Sequence, residues 1–124
     1  EDAVSDMTPE AEHPVLQEIV RYMIDHTSSD ARIDELAKRH FVSTGHLHLL
    51  FQNRLGCSPH KLWRAIKMEK ACAELHLNDL SVQELAARTG FSSRRGFQRS
   101  FKCVTGMSVE YYRSHLKDLT FGRR

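Results

Sequence analysis

The sequence predicts an all-α domain of seven helices, in which two helix-turn-helix subdomains are joined by a long connector helix. Three observations predict it. Apolar residues recur at three- and four-residue spacing, and strand-like alternation is absent. Proline occurs only at positions 9, 14 and 59, while serine starts and glycine stops fall at helix-length intervals. Two stretches, one from Ile33 and one from Val82, overlay on each other.

The elements follow in order. Residues 1–13 read as an acidic linker or tail. Pro14 suits the first turn of a helix, and Val15, Leu16, Ile19, Val20, Met23 and Ile24 form its stripe, which ends near Thr27. Ile33, Leu36 and Ala37 mark a short second helix. Ser43 caps a third, with the stripe Leu47, Leu50, Phe51 and Leu55 and a stop at Gly56. These make a first subdomain over residues 14–58.

Ser58-Pro59 opens the connector, residues 59–78. It carries two apolar stripes, one of Leu62, Ile66, Ala73 and Leu77 widened by Trp63, the other of Met68, Ala71, Cys72 and Leu75. A helix apolar on two sides packs between two partners. The second subdomain takes residues 79–118. Ser81-Val82-Gln83-Glu84 is a capping box for a fifth helix that stops at Gly90. Ser92 or Ser93 caps a sixth with Phe97, Phe101 and Val104, and a seventh runs from about Ser108 to Leu116. Residues 119–124 read as a frayed tail.

The repeat pairs I-D-E-L-A-K-R-H-F-V-S with V-Q-E-L-A-A-R-T-G-F-S, and L-H-L-L-F-Q-N-R-L-G-C-S with F-Q-R-S-F-K-C-V-T-G-M-S. The offset is 49 up to Ser43/Ser92 and 50 from Leu47/Phe97, so the second copy gains one residue at the start of its later helix. Each copy is a short helix, a tight turn and a longer helix, the layout of a helix-turn-helix. Ala37 and Ala86 fit a close helix crossing, and Val42 and Phe91 plug the corner after the turn. A plain pair of helical hairpins has the same outline. Two copies in register with small residues at the crossing favour the helix-turn-helix.

Composition narrows the function. The net charge of +2 hides −7 over residues 1–30 against +9 over 31–124, with +7 in residues 88–124 alone. A basic block of this kind points to a polyanionic partner. Cys57, Cys72 and Cys103 are odd in number and form no C-x-x-C pair, which argues against a disulfide framework and for a reducing cytoplasm. Cys103, beside Val104, reads as a buried thiol. His46 and His48 point to different helix faces, and Cys57-x-x-His60 has no second pair, so no metal site and no cofactor is expected. Neither a phosphate loop nor G-x-S-x-G nor H-E-x-x-H occurs, so no enzymatic activity is expected.

The motifs L-A-K-R-H-F-V-S-T-G-H-L-H-L-L-F and S-V-Q-E-L-A-A-R-T-G-F-S-S-R-R-G-F-Q-R-S-F-K-C-V-T-G-M-S-V-E-Y-Y-R resemble the DNA-binding domain of AraC/XylS transcription regulators, over roughly Val15 to Leu116. The resemblance implies that the third and sixth helices enter adjacent major-groove faces of double-stranded DNA. It implies base-edge contacts from Thr44, Gly45, His48 and Leu49 in one copy and from Arg94, Arg95, Gln98 and Arg99 in the other. Arg suits guanine and Gln suits adenine, whereas Leu49 can touch only a thymine methyl. Lys38, Arg39, Arg54, Lys102 and Arg113 read as phosphate contacts or solvated charges.

The same resemblance implies a promoter-binding regulator, mostly an activator contacting RNA polymerase, in the bacterial cytoplasm. Glu1 is not an initiator Met, so the expectation is a fragment of a longer protein. The fragment is expected to be monomeric on DNA, with dimerisation left to an N-terminal domain. The competing reading is a helical protein-interaction module whose basic half is masked by a partner or by the acidic N-terminal segment.

Overall fold

A computed structural model describes residues 13–116, and the expected linker, apart from His13, and the C-terminal tail lie outside them. Seven helices and no strand occur among the described residues: α1 Pro14–Asp25, α2 Ile33–Arg39, α3 Thr44–Leu55, α4 Pro59–Leu77, α5 Val82–Arg88, α6 Arg94–Thr105 and α7 Val109–Ser114. The chain packs as two units. Among the described residues, one holds 13–26 and 31–63; the other holds 27–30 and 64–116.

In the first unit, α3 packs against α1 and α2. Leu16, Ile19 and Met23 of α1, Ile33, Leu36 and Ala37 of α2, and Leu47, Leu50 and Phe51 of α3 are buried. Trp63 is buried too, its indole N–H donating to the Ala31 carbonyl at 3.3 Å. Ile24, expected in the α1 stripe, is exposed, since it lies in the last turn beyond the buried trio.

The second unit closes on Met68, Ala71 and Leu75 of α4, Leu85 and Ala86 of α5, Phe97 and Phe101 of α6, and Val109 of α7. Phe91 meets Phe97 edge-on at 5.8 Å, and Tyr112 meets Phe101 the same way at 5.5 Å. Three expected core residues fall outside it. Ala73 and Leu77 sit on the exposed side of α4, away from the face that carries Ala71 and Leu75. Val104 is exposed because the buried stripe of α6 has ended by its last turn.

Serine hydroxyls accept from the third residue of each following helix at Ser43, Ser58, Ser81, Ser93 and Ser108. Each cap satisfies an amide that the helix leaves unpaired. Ser43 and Ser93 are therefore equivalent, and both later helices have 12 residues. The extra residue of the second copy lies in the turn, as Ser92, and not inside the helix.

The turns themselves match closely. The Val42 amide returns to the Ala37 carbonyl at 3.1 Å and the Phe41 amide to Lys38; the Phe91 amide returns to Ala86 at 2.9 Å and Gly90 to Ala87. This is the Schellman pattern, which needs a left-handed residue at its centre. Gly90 supplies it at φ 77° in the second unit, while Phe41 adopts φ 60° in the first. Phe41 is 96% exposed, so no packing offsets the strain of a bulky side chain there.

Gly90 has a second reason. A Cβ there would run into the Ser29 carbonyl oxygen and Lys67 Nζ. Lys67 is only 6% exposed and donates to three carbonyls, Thr27 at 2.9 Å, Ser29 at 2.5 Å and Thr89 at 2.8 Å. Burial pushes its ammonium down to about 8, with the Asp30 charge opposing. At neutral pH three N–H donors thus meet three acceptors. Nearby, burial would raise the Glu74 carboxyl, but hydrogen bonds from Asn78 and Lys70 and the charge of Arg88 outweigh that and hold it below the ordinary carboxylate value.

Two stability predictions follow from these contacts. Lys67→Met removes the ammonium that joins three carbonyls, the Thr89 one buried, and is expected to cost about 3 kcal/mol or more in urea unfolding. The left-handed positions should respond with opposite signs. Gly90→Ala loses more than about 1 kcal/mol, while Phe41→Gly gains roughly 0.5–1 kcal/mol.

Candidate nucleic-acid interface

Each unit presents the same helix face. Counting from the capping serine, α6 places Arg94, Arg95, Gln98, Arg99 and Lys102 at the first, second, fifth, sixth and ninth positions. This spacing makes one stripe, opposite buried Phe97 and Phe101. Arg94, Arg95, Arg99 and Lys102 are exposed and Gln98 is half-buried. None of the four cations has an ion pair to a described residue. Two of them occupy the first turn, where the helix dipole disfavours positive charge. Arg95, Gln98, Arg99 and Lys102 also line an open cleft of about 520 Å³, whose far wall is Ser108, Val109 and Glu110.

In α3 the matching positions are Thr44, Gly45, His48, Leu49 and Gln52. Thr44 and His48 are half-buried, Gly45 and Gln52 are exposed, and Leu49 is 61% exposed. The stripe carries no formal charge. A smaller cleft of about 290 Å³ beside Thr44 is lined by Asp34 and Glu35 as well as Lys38. Gln52 escaped the sequence reading, although the offset of 50 pairs it with Lys102.

The expected phosphate contacts divide by environment. Lys38 and Lys102 are exposed with no ion pair to a described residue. Arg39 is exposed but lies over the Tyr22 ring at 5.2 Å. Arg54 is half-buried. Arg113 is half-buried and donates to the Leu80 carbonyl, so it holds the segment before α5. Cys103, expected to be buried, is exposed, because α6 turns it into the cleft beside Arg99 and Lys102 instead of toward Phe101. No group of three or more His, Cys, Asp or Glu among the described residues could hold a metal. No described helix is long and apolar enough to cross a membrane.

Comparison with known proteins matches residues 36–115 to a helix-turn-helix domain family. The chain is 30% identical over 97 residues to the raffinose operon transcriptional regulatory protein RafR of Pediococcus pentosaceus, covering 78% of this chain and 35% of that protein. It superposes with TM-score 0.78 and 30% identity on the C-terminal domain of AraT, a response regulator from Geobacillus stearothermophilus, over 82% of this chain and 84% of that one. The DNA-binding domain of the global transcriptional factor AdpA, solved in complex with a target DNA, superposes with TM-score 0.77 at 25% identity, over 88% and 97%. The chain spans about a third of the length of RafR and of the similarly matched Bacillus subtilis regulator YfiF.

The exposure pattern predicts thiol behaviour. Cys103 should react first with a thiol reagent such as DTNB. Cys72, half-buried and pushed up by burial, should lag well behind. A kinetic trace that keeps its fast phase in Cys103→Ser would contradict the placement.

Proposed function

This chain belongs to the AraC-type helix-turn-helix domain family, the DNA-binding domain of a transcriptional regulator, and from that premise we propose that it binds promoter DNA sequence-specifically through α3 and α6. The observation that carries the reading is the α6 stripe. Arg94, Arg95 and Arg99 stand exposed on one face with Gln98 between them, and no described acid pairs with them. Arg forks match guanine O6 and N7 in the major groove, and Gln matches adenine. A phosphate-bearing partner also offsets the cost of cations at a helix start.

The two stripes divide the work. In α6, Arg94, Arg95, Gln98 and Arg99 read base edges. In α3, Thr44, Gly45, His48 and Leu49 read with one imidazole, one hydroxyl and one methyl-sized contact. Lys38, Arg39, Arg54 and Lys102 hold phosphates, and Arg113 supports the loop it is bonded to. Two recognition units in one chain replace the two-fold pair that single units need, so the chain binds an asymmetric site as a monomer. The masked interaction module is not favoured by relatives such as RafR, a transcriptional regulatory protein. Activation through contact with RNA polymerase rests on the family resemblance alone. It is tested by in vitro transcription from a promoter carrying the bound site.

The binding test is quantitative. Log affinity for a bound duplex should fall linearly with log salt, losing orders of magnitude between about 50 and 200 mM. Arg94→Ala or Arg95→Ala should relax preference at particular base pairs, worth about 1–3 kcal/mol each, while Lys102→Ala weakens all sequences alike. Salt-independent binding, or Arg variants that lose affinity with preference intact, would sink the reading.

A further inference from the structure

His48 occupies the fifth position of α3, where α6 has Gln98, and its ring is fixed in a way that restricts what it can read. Its Nδ1 lies 2.9 Å from the Thr44 carbonyl oxygen. A carbonyl only accepts, so Nδ1 must carry the hydrogen, and in the neutral ring Nε2 is then a bare lone pair. Nε2 has no hydrogen bond to any described residue. The His60 ring, from α4, packs against His48 at a centroid distance of 5.6 Å, and it is the titratable group that faces His48 from that helix. Turning the imidazole over would put carbon where Nδ1 sits and lose the Thr44 bond. His26, His40 and His115 show the same bond to the carbonyl four residues back, so helix geometry alone sets this tautomer. Of the four, His48 is the one on a recognition stripe.

We propose that His48 is a specificity-determining residue that accepts a hydrogen bond from the exocyclic amine of adenine or cytosine in the major groove. This rests on the DNA reading above. Gln98 both donates and accepts, and so can take N6 and N7 of adenine together. His48 offers only the acceptor. In the major groove only adenine N6 and cytosine N4 present amino hydrogens; guanine presents acceptors, and thymine an acceptor and a methyl. Leu49, the next residue and 61% exposed, adds an apolar contact for a thymine methyl. On the strand it contacts, His48 therefore selects adenine or cytosine against guanine and thymine, while the arginines of the second unit select for guanine.

The test uses a duplex selected from random sequence by this chain. Base-by-base substitution, compared between wild type and His48→Ala, locates the pair that depends on His48. At that pair, N6-methyladenine or N4-methylcytosine places a methyl where the major-groove hydrogen stood. Wild type should bind it roughly tenfold more weakly, and His48→Ala should be indifferent. A 7-deazapurine there, which removes only the N7 acceptor, should leave wild type unchanged. His48→Gln should become sensitive to both analogues, and its thermal unfolding controls for folding. Loss with the 7-deazapurine and tolerance of the methylated base would overturn the proposal, since His48 would then be a donor. No pair depending on His48 would overturn it too. Either result leaves the DNA reading standing if Arg95→Ala still relaxes its own pair, and loss of all preference in wild type would instead indict that reading.

Discussion

The left-handed turn that ends α2 and α5 sets the direction in which α3 and α6 leave. In both, the amide two residues past the helix cap closes back on the carbonyl of a buried alanine, Ala37 or Ala86. The same alanines lie in the buried crossings of α2 with α3 and α5 with α6, so one small residue serves the crossing and the turn. A larger side chain would separate the helices. Once the turn is made, the capping serine fixes the first helical residue, and every outward position follows from the helical repeat. The outward stripes are consequences of that geometry more than of any contact among their own side chains.

The two units meet the constraint with different residues. Gly90 is tied to its place by the Ser29 carbonyl and the Lys67 amine as well as by its φ. Phe41 has no such neighbour and is solvent-exposed, so the first turn carries backbone strain that the second does not. The recognition helices diverge likewise. α6 gathers cations at the end where its dipole opposes them, which destabilises the free helix and favours an anionic partner. α3 has no Arg, Lys, Asp or Glu on its stripe, and on the reading proposed above it would recognise DNA by shape, one lone pair and one apolar contact.

Much of this was legible in the sequence. Helix count, the serine caps, the glycine stops and the buried alanines follow from local chemistry, because capping and periodicity act within a few residues. The misplacements have separate causes. Ile24 and Val104 fit apolar periodicity but lie in last turns, Ala73 and Leu77 lie on a face of α4 that stays exposed, and apolar Val104 beside it gives no measure of which way Cys103 points. The extra turn residue was assigned to the helix because Ser92 and Ser93 are interchangeable in letters and only the hydrogen bond to Gly96 separates them. Lys67 gave no signal at all. Its three acceptors are backbone carbonyls from two distant segments, Thr27–Ser29 and Thr89, which no side-chain pattern records. In the candidate site, the Arg stripe was visible as spacing, but the tautomer of His48 was not, since it depends on a carbonyl four residues earlier.

On the proposed reading, two turns of one design aim two helices of unequal reading power. The decisive measurement is selection of bound sites from random duplex DNA, scored for information at each base pair. One sharply defined, guanine-containing block is expected, which loses definition in Arg94/Arg95 variants, beside a separate, more degenerate block that keeps its pattern in them. Equal information in both blocks, or a palindrome bound by two chains, would contradict it.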